Sequence, residues 1–301
     1  MNAAKALVGA LMAIGSIAAS AATLTTGSIE MGLFADGGLG SGGVGINLVG
    51  GPGDAITPGC LCEGWGAAAN GTGSYTYGGS NTFSSAVYTP IDASHAKSVV
   101  TTSTGLQITH EYSPAAGGKL FSVAVTIKNI GAALATDVRY ARTLDWDVPP
   151  GHFSDDFSTI YGGSPTGPAG KVFSTSLDPF AVPDPMVSRA SFHDVNATDA
   201  PGDLGGYFIL KFGDLAAGEE VTFNTFIGAD FTTAALIGDL ASVGVEAYSY
   251  TFDNDAGVTY AWGFAGLGLP PVFETPEPGS LALVALAGLG LAASRRRKLA
   301  A

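Results

Sequence analysis

A chain of 301 residues, 46% of them apolar, is long enough to bury a sizeable core. Its 44 glycines and its low share of charged residues, 13%, argue against a helical bundle held by surface ion pairs and for a turn-dense, all-β chain. Setting aside five basic residues near the termini (Lys5, Arg295, Arg296, Arg297 and Lys298) leaves eight basic residues against 26 acidic ones, a balance of −18 that excludes nucleic acid as a partner and disfavours anionic lipid.

At the N-terminus, Met1-Asn2-Ala3-Ala4-Lys5 places one cation before an apolar run from Ala6 to Ala19. Small residues, Ala19-Ser20-Ala21-Ala22, then stand where a signal peptidase cuts. Residues 1–22 are therefore expected to be a signal peptide that uses the Sec machinery, with the exported domain spanning 23–274. The glycine-rich stretch from Gly37 to Gly53 has no Lys-Ser/Thr ending and no following helix, so it is not a phosphate loop, and flexible surface chain is expected there.

The chain's two cysteines lie in Thr57-Pro58-Gly59-Cys60-Leu61-Cys62-Glu63-Gly64-Trp65-Gly66. Three arrangements are open to them in an exported protein. Cys60 and Cys62 can close a tight local disulfide, bridge to other copies or partners, or act as soft metal ligands completed by His95, His110, His152 or His193. No histidine stands at a spacing characteristic of zinc sites.

Period-2 alternation predicts strands over Ser98–Thr102, Gly105–Tyr112, Leu120–Asn129, Ala135–Asp145, Gly206–Phe212 and Glu219–Ile227. Between them, Pro149 to Pro201 is rich in Pro, Gly, Ser and Asp and reads as a long surface insertion. Thr232 to Val245 is the helical candidate of the body, with Ala235, Leu236, Leu240 and Val243 on one face. Two segments, Phe121 to Gly131 with its Asn129-x-Gly131 turn and Gly213 to Phe223 with its Gly218-Glu219 turn, resemble those of bacterial immunoglobulin-like modules. That resemblance implies an antiparallel β-sandwich with Greek-key connections.

Carboxylates cluster at Asp145-Trp146-Asp147, Asp155-Asp156, His193-Asp194 and Asp253-Asn254-Asp255-Ala256-Gly257. Asp253 and Asp255 have the two-residue spacing of calcium ligands, but no carboxylate follows at the fifth position and no Glu at the twelfth. A weak Ca2+ site is the most that loop offers, and no other cofactor is expected. An aromatic flanked by carboxylates, as at Trp146, suits sugar stacking, although a strand-end tryptophan can equally belong to the core. There is no Gly-x-Ser-x-Gly elbow and no convincing catalytic constellation, so the chain is not expected to be an enzyme.

At the C-terminus, Thr275-Pro276-Glu277-Pro278-Gly279-Ser280 leads into an apolar stretch from Leu281 to Ala293, which stops at Ser294 and Arg295-Arg296-Arg297-Lys298. The prolines hold the chain extended and present Glu277. The apolar helix, about 279–294, is shorter than the ~20 residues of a stable span and would sit marginally in the bilayer. The basic end keeps the tail cytoplasmic. In this order the three parts resemble the PEP-CTERM sorting signal over residues 275–301. The resemblance implies a Gram-negative source, transient inner-membrane anchoring, cleavage near the motif by an exosortase, delivery to the cell surface or matrix, and an association with exopolysaccharide and biofilm. A permanent single-pass anchor would use the same helix and arginines. The Cys60-to-Gly66 segment is also similar to segments of other PEP-CTERM-tailed proteins. Taken together, the sequence predicts an exported surface or matrix protein with a structural or adhesive role. The alternative is a secreted carbohydrate-binding module or weak glycoside hydrolase that uses Asp145, Trp146 and Asp147.

Overall fold

The computed structural model describes residues 22–151, 153, 156–162, 171–187, 202–253, 255 and 257–269. In chain order the first strands are β1 (Ala22–Thr25), β2 (Ile29–Leu33), β3 (Ile46–Leu48), β4 (Gly64–Ala69), β5 (Thr72–Tyr77), β6 (Ser80–Asn81), β7 (Ser85–Pro90), β8 (Ala96–Thr101) and β9 (Leu106–Ala115). They are followed by β10 (Leu120–Asn129), β11 (Ala135–Trp146), β12 (Asp156–Tyr161), β13 (Val172–Ser176), β14 (Leu204–Leu215) and β15 (Glu220–Asp230). Helix α1 (Thr233–Ser242), β16 (Ala247–Asp253) and β17 (Thr259–Ala265) complete the described chain.

All strand pairings are antiparallel, and they form three sheets. An eight-stranded sheet runs β12-β16-β17-β15-β10-β9-β8-β7, a six-stranded sheet runs β13-β14-β11-β4-β5-β6, and a small sheet runs β1-β2-β3. Alternation explains how they pack. On β10, Phe121, Val123, Val125 and Ile127 are buried while the residues between them are half-exposed. Tyr140, Leu144 and Trp146 of β11 belong to the same apolar cluster, as do Met31 and Leu33 of β2. Ring contacts cross from sheet to sheet, with Phe208 of β14 5.2 Å from Trp262 of β17 and Tyr140 5.1 Å from Phe223 of β15.

Helix α1 covers part of the outer face of the eight-stranded sheet, where Leu236 and Leu240 pack with Leu120, Phe226, Tyr248 and Ala261. The Thr232 hydroxyl accepts from the Ala235 N–H at 3.2 Å and caps the first turn, a contact of about 1 kcal/mol. Gly244, in the left-handed region with φ +72°, ends the helix.

The expected strands appear as β8, β9, β10, β11, β14 and β15, and the expected helix as α1. The all-β, antiparallel reading therefore holds. An immunoglobulin-like body does not follow from it, because sheets of eight and six strands exceed the seven to nine strands of that module. The two segments that carried the resemblance form neighbouring crossings between sheets. The Asn129 side chain donates to Ala133 O at 2.8 Å and to Leu215 O at 3.0 Å, and its backbone carbonyl accepts from Gly218 N–H at 2.9 Å.

Two further expectations are corrected. The 149–201 insertion contains β12 and β13, which become edge strands of the two large sheets and bury Ile160 and Val172. The Gly37–Gly53 stretch is not surface chain, since Leu39, Ile46 and Leu48 within it are buried. Its glycines let backbone approach closely: a β-carbon on Gly45 would lie 2.5 Å from Ile56 Cβ. No helix among the described residues is long and apolar enough to cross a membrane. The expected signal peptide and the apolar segment 279–294 lie outside the described residues.

Candidate functional site

The segment that holds both cysteines is built into the interior of the sandwich. Cys60 and Cys62 form a disulfide with Cα atoms 5.2 Å apart, the local ring among the three arrangements open to them. The Glu63 side chain turns inward, where one carboxylate oxygen accepts from Arg142 Nη2 at 2.7 Å and the other from Leu39 N–H at 2.6 Å. Both partners of this ion pair are almost fully buried, Glu63 at 1% and Arg142 at 4% side-chain exposure. Burial pushes the Glu63 carboxyl up, to about 7, against the opposing pull of Arg142. Gly64 and Gly66 leave no room for a side chain, since a β-carbon would meet Thr76 O and Pro183 O respectively. Between them, Trp65 donates from Nε1 to Asp36 O at 3.0 Å and stacks on Phe83 and Tyr140.

Facing this segment from β9, the His110 ring lies edge-on to Trp65 at 4.3 Å and shares a hydrogen bond of 3.2 Å with the Tyr140 hydroxyl. Burial, and then the nearby Arg142 charge, lower its pKa to about 3, so His110 is neutral across the physiological range. The network of Glu63, Arg142, His110 and Tyr140 was not visible in the sequence. Its members are separated by up to 79 residues, and nothing but burial marks them.

A second constellation lies at the end of β11. Asp145 Oδ2 is 3.4 Å from Cys60 Sγ, and Asp145, Asp147 and Asp203 bring carboxylate oxygens within 4.8 Å of one another. The donor set of three carboxylates is one that hard cations accept. The Cys60, Cys62 and Asp145 set is committed to the disulfide. Asp147 is fully buried, and burial, reinforced by Asp203, pushes its carboxyl up to about 7. Trp146, between the two aspartates, points the other way: it is fully buried and its Nε1 donates to Ser249 Oγ at 3.2 Å. It is a core residue and cannot stack on a sugar, so the aromatic part of the carbohydrate reading at Asp145, Trp146 and Asp147 does not hold.

Asp253 and Asp255, the weak calcium candidates, are joined by a turn in which Asp255 N–H donates to Asp253 Oδ1 at 2.6 Å. Among the described residues they do not belong to a group of three donors able to hold a metal ion. The sorting residues Pro276, Glu277 and Pro278 and the basic residues Arg295, Arg296, Arg297 and Lys298 lie outside the described residues, as do His152 and His193. The chain leading to them is anchored, however. Glu246 accepts from Gly266 N–H with Oε1 and from Leu269 N–H with Oε2, both at 2.9 Å.

Comparison with known proteins bears on that tail. Residues 274–298 match the PEP-CTERM protein-sorting motif. The chain therefore carries the signal of an exported, membrane-transiting protein whose processing partner is an exosortase. No curated protein sequence matches the chain. Among solved structures, the chain is similar to a candidate aldose 1-epimerase from Escherichia coli K12, with 8% identity, a TM-score of 0.37, and 84% of this chain and 89% of that one covered. It is also similar to a galactose mutarotase-like protein from Lactobacillus casei, with 11% identity, a TM-score of 0.36, and coverage of 83% and 89%.

Two outcomes follow from the buried charges. Arg142→Met leaves the Glu63 carboxyl inside the protein without its ionic partner, and urea unfolding is expected to show a loss of about 3–5 kcal/mol at pH 8. Asp147 behaves in the opposite sense. Its folded pKa, about 7, lies above the unfolded value, so the folded state holds the proton longer and stability falls as pH rises from about 4 to 7. Asp147→Asn is expected to raise stability by roughly 1–3 kcal/mol at pH 8 and to leave it unchanged at pH 4, read from thermal or urea unfolding at the two pH values.

Proposed function

We propose that the protein is an exported surface or matrix component, delivered through a signal peptide at residues 1–22 and released from transient inner-membrane anchoring when an exosortase cuts near Pro276-Glu277-Pro278. The observation that carries this reading is the match of residues 274–298 to the PEP-CTERM motif, which begins five residues after the last described residue of the body. The fold supports it in two ways. The last described strand, β17, lies inside the eight-stranded sheet between β15 and β16, and the Glu246 contacts secure the chain up to Leu269, so a cut near residue 276 removes none of the described strands. The Cys60–Cys62 disulfide suits an oxidising compartment outside the cytoplasm.

Outside the cell the role is structural or adhesive, in association with exopolysaccharide. A disulfide-closed, acidic sandwich, with 25 acidic against eight basic residues over 23–274, is suited to stay soluble and folded there.

Variants of the tail test the reading, because its three parts do separate work. Pro276→Ala with Glu277→Ala leaves helix and basic end intact, and the uncut precursor is expected to accumulate in the inner membrane. Neutral replacements of Arg295, Arg296, Arg297 and Lys298 remove roughly 1 kcal/mol of surface attraction per charge from a marginal helix, and the protein is expected in the periplasm with its tail uncut. Fractionation and intact-mass measurement distinguish these products. Delivery of the double-alanine variant to the exterior at the wild-type processed mass would show that the tail is an anchor and not a sorting signal.

A further inference from the structure

The outer face of the eight-stranded sheet carries a feature that tail processing does not use. Tyr248, Tyr250 and Phe252 occupy alternate positions of β16 and so point to one side of the sheet. Across the β12–β16 pairing, Tyr161 stacks on Tyr248 at 5.2 Å and Phe157 on Phe252 at 5.1 Å, with ring planes within 13° and 9° of parallel. Along β16 the rings follow one another at 6.1 Å and 6.3 Å. Tyr161, Tyr248 and Tyr250 border the apolar layer under α1, so this row of rings lies on the same outer face as the helix.

At its Phe252 end the row meets a cleft of about 160 Å³ beside the first turn of α1. Phe231, 46% exposed, forms part of the wall opposite the strand, with the Lys119 ammonium 5.4 Å from its ring centre. The lining also includes Thr232, Thr233, Thr259 and Asp253. Thr233 and Thr259 share a hydrogen bond of 2.8 Å between their hydroxyls, and the Asp253 carboxylate is oriented by the Asp255 N–H at 2.6 Å.

We propose that this cleft binds one hexose unit of a neutral polysaccharide. Four observations point to that ligand class. The Phe231 ring, 46% exposed, offers apolar surface for the C–H face of a pyranose. Hydroxyls that both donate and accept, next to a carboxylate that accepts, match the alternating donors and acceptors of sugar hydroxyls. The volume is below the ~300–1,000 Å³ of pockets for drug-sized ligands and fits a single ring. Asp253 inside the cleft repels an anionic polymer, as does the acidic body as a whole, while the Lys119 charge beside Phe231 is paired with Asp230 at 3.6 Å.

The inference uses the proposed extracellular role only for where the ligand is met. A failed binding experiment leaves the tail variants' outcomes standing, and a failed sorting experiment leaves the cleft's binding measurable.

Calorimetric titration of the full-length protein in detergent with cellohexaose, laminarihexaose and maltohexaose, and with hexagalacturonate as the anionic probe, tests the proposal. At least one neutral hexaose is expected to bind saturably with a Kd between about 10 μM and 1 mM, and hexagalacturonate at least tenfold more weakly. Phe231→Ala is expected to weaken binding at least tenfold. Phe231→Tyr should stay within about threefold of wild type, and so should Phe180→Ala, which removes another exposed ring (53% exposed) as a control. Phe231 is half exposed, so its replacement is expected to leave the unfolding temperature unchanged, and this is measured alongside. The proposal is overturned by the absence of binding for all three neutral hexaoses up to about 10 mM, by wild-type affinity in Phe231→Ala, or by hexagalacturonate binding as tightly as the neutral sugars.

Discussion

The buried pair of Glu63 and Arg142 is the constraint around which the sandwich is assembled. A carboxyl and a guanidinium taken out of water are tolerated only when their hydrogen-bonding capacity is met inside the protein. Here that requires every sheet to be in place. Arg142 comes from β11 of the six-stranded sheet, and the second Glu63 oxygen needs the Leu39 N–H just beyond β2 of the small sheet. The surroundings are closed from the eight-stranded sheet by His110 and by Tyr112, whose hydroxyl donates to Gly37 O at 3.1 Å. The glycines around Glu63 follow from the same constraint, because Gly64 and Gly66 sit where neighbouring backbone leaves no space for a β-carbon. The Cys60-to-Gly66 segment is thus explained by packing: disulfide, inward carboxyl, close-approach glycine and buried tryptophan in succession.

The parts of this fold that were legible in the sequence are those with one face in the core and one in water. β10, with Phe121, Val123, Val125 and Ile127 alternating against Ser122, Ala124, Thr126 and Lys128, spans the residues that its pattern predicts. β4 and β17 escaped because they are buried along their whole length, and Gly-Trp-Gly-Ala-Ala-Ala or Thr-Tyr-Ala-Trp-Gly-Phe-Ala shows no alternation to read. β12 and β13 were hidden in a stretch whose prolines, glycines and aspartates read as loop. Of the sites, the tail was legible because its three parts are contiguous. The carboxylate constellation was half legible: Asp145 and Asp147 are neighbours in sequence, whereas Asp203 arrives through the start of β14. The orientation of Trp146 depends on which face of β11 meets the core, and alternation around Leu144 and Trp146 carried that information without deciding it against a sugar-facing role.

Fold and tail are compatible in a way that neither shows alone. The chain leaves the body from β17, inside the eight-stranded sheet, and Glu246 fastens the first residues beyond it to the stretch between α1 and β16. The described hydrogen bonding of the body runs as far as Leu269, five residues before the sorting motif begins. A body whose described strands all precede the motif is suited to being anchored, cut and released, which is what a temporary membrane stop demands of its passenger. The same body presents the cleft beside α1 on the outer face of its eight-stranded sheet.

The central claim, that the tail is a signal to be removed and the body is the product, is tested most directly by intact-mass analysis of the native protein recovered from the cell exterior. The account predicts a chain that begins near Ala22 or Thr23, ends between Leu269 and Leu281, and is two mass units lighter than its reduced form because of the Cys60–Cys62 bond. Recovery of an exterior protein whose mass extends to Ala301, with Arg295, Arg296, Arg297 and Lys298 still attached, would contradict it.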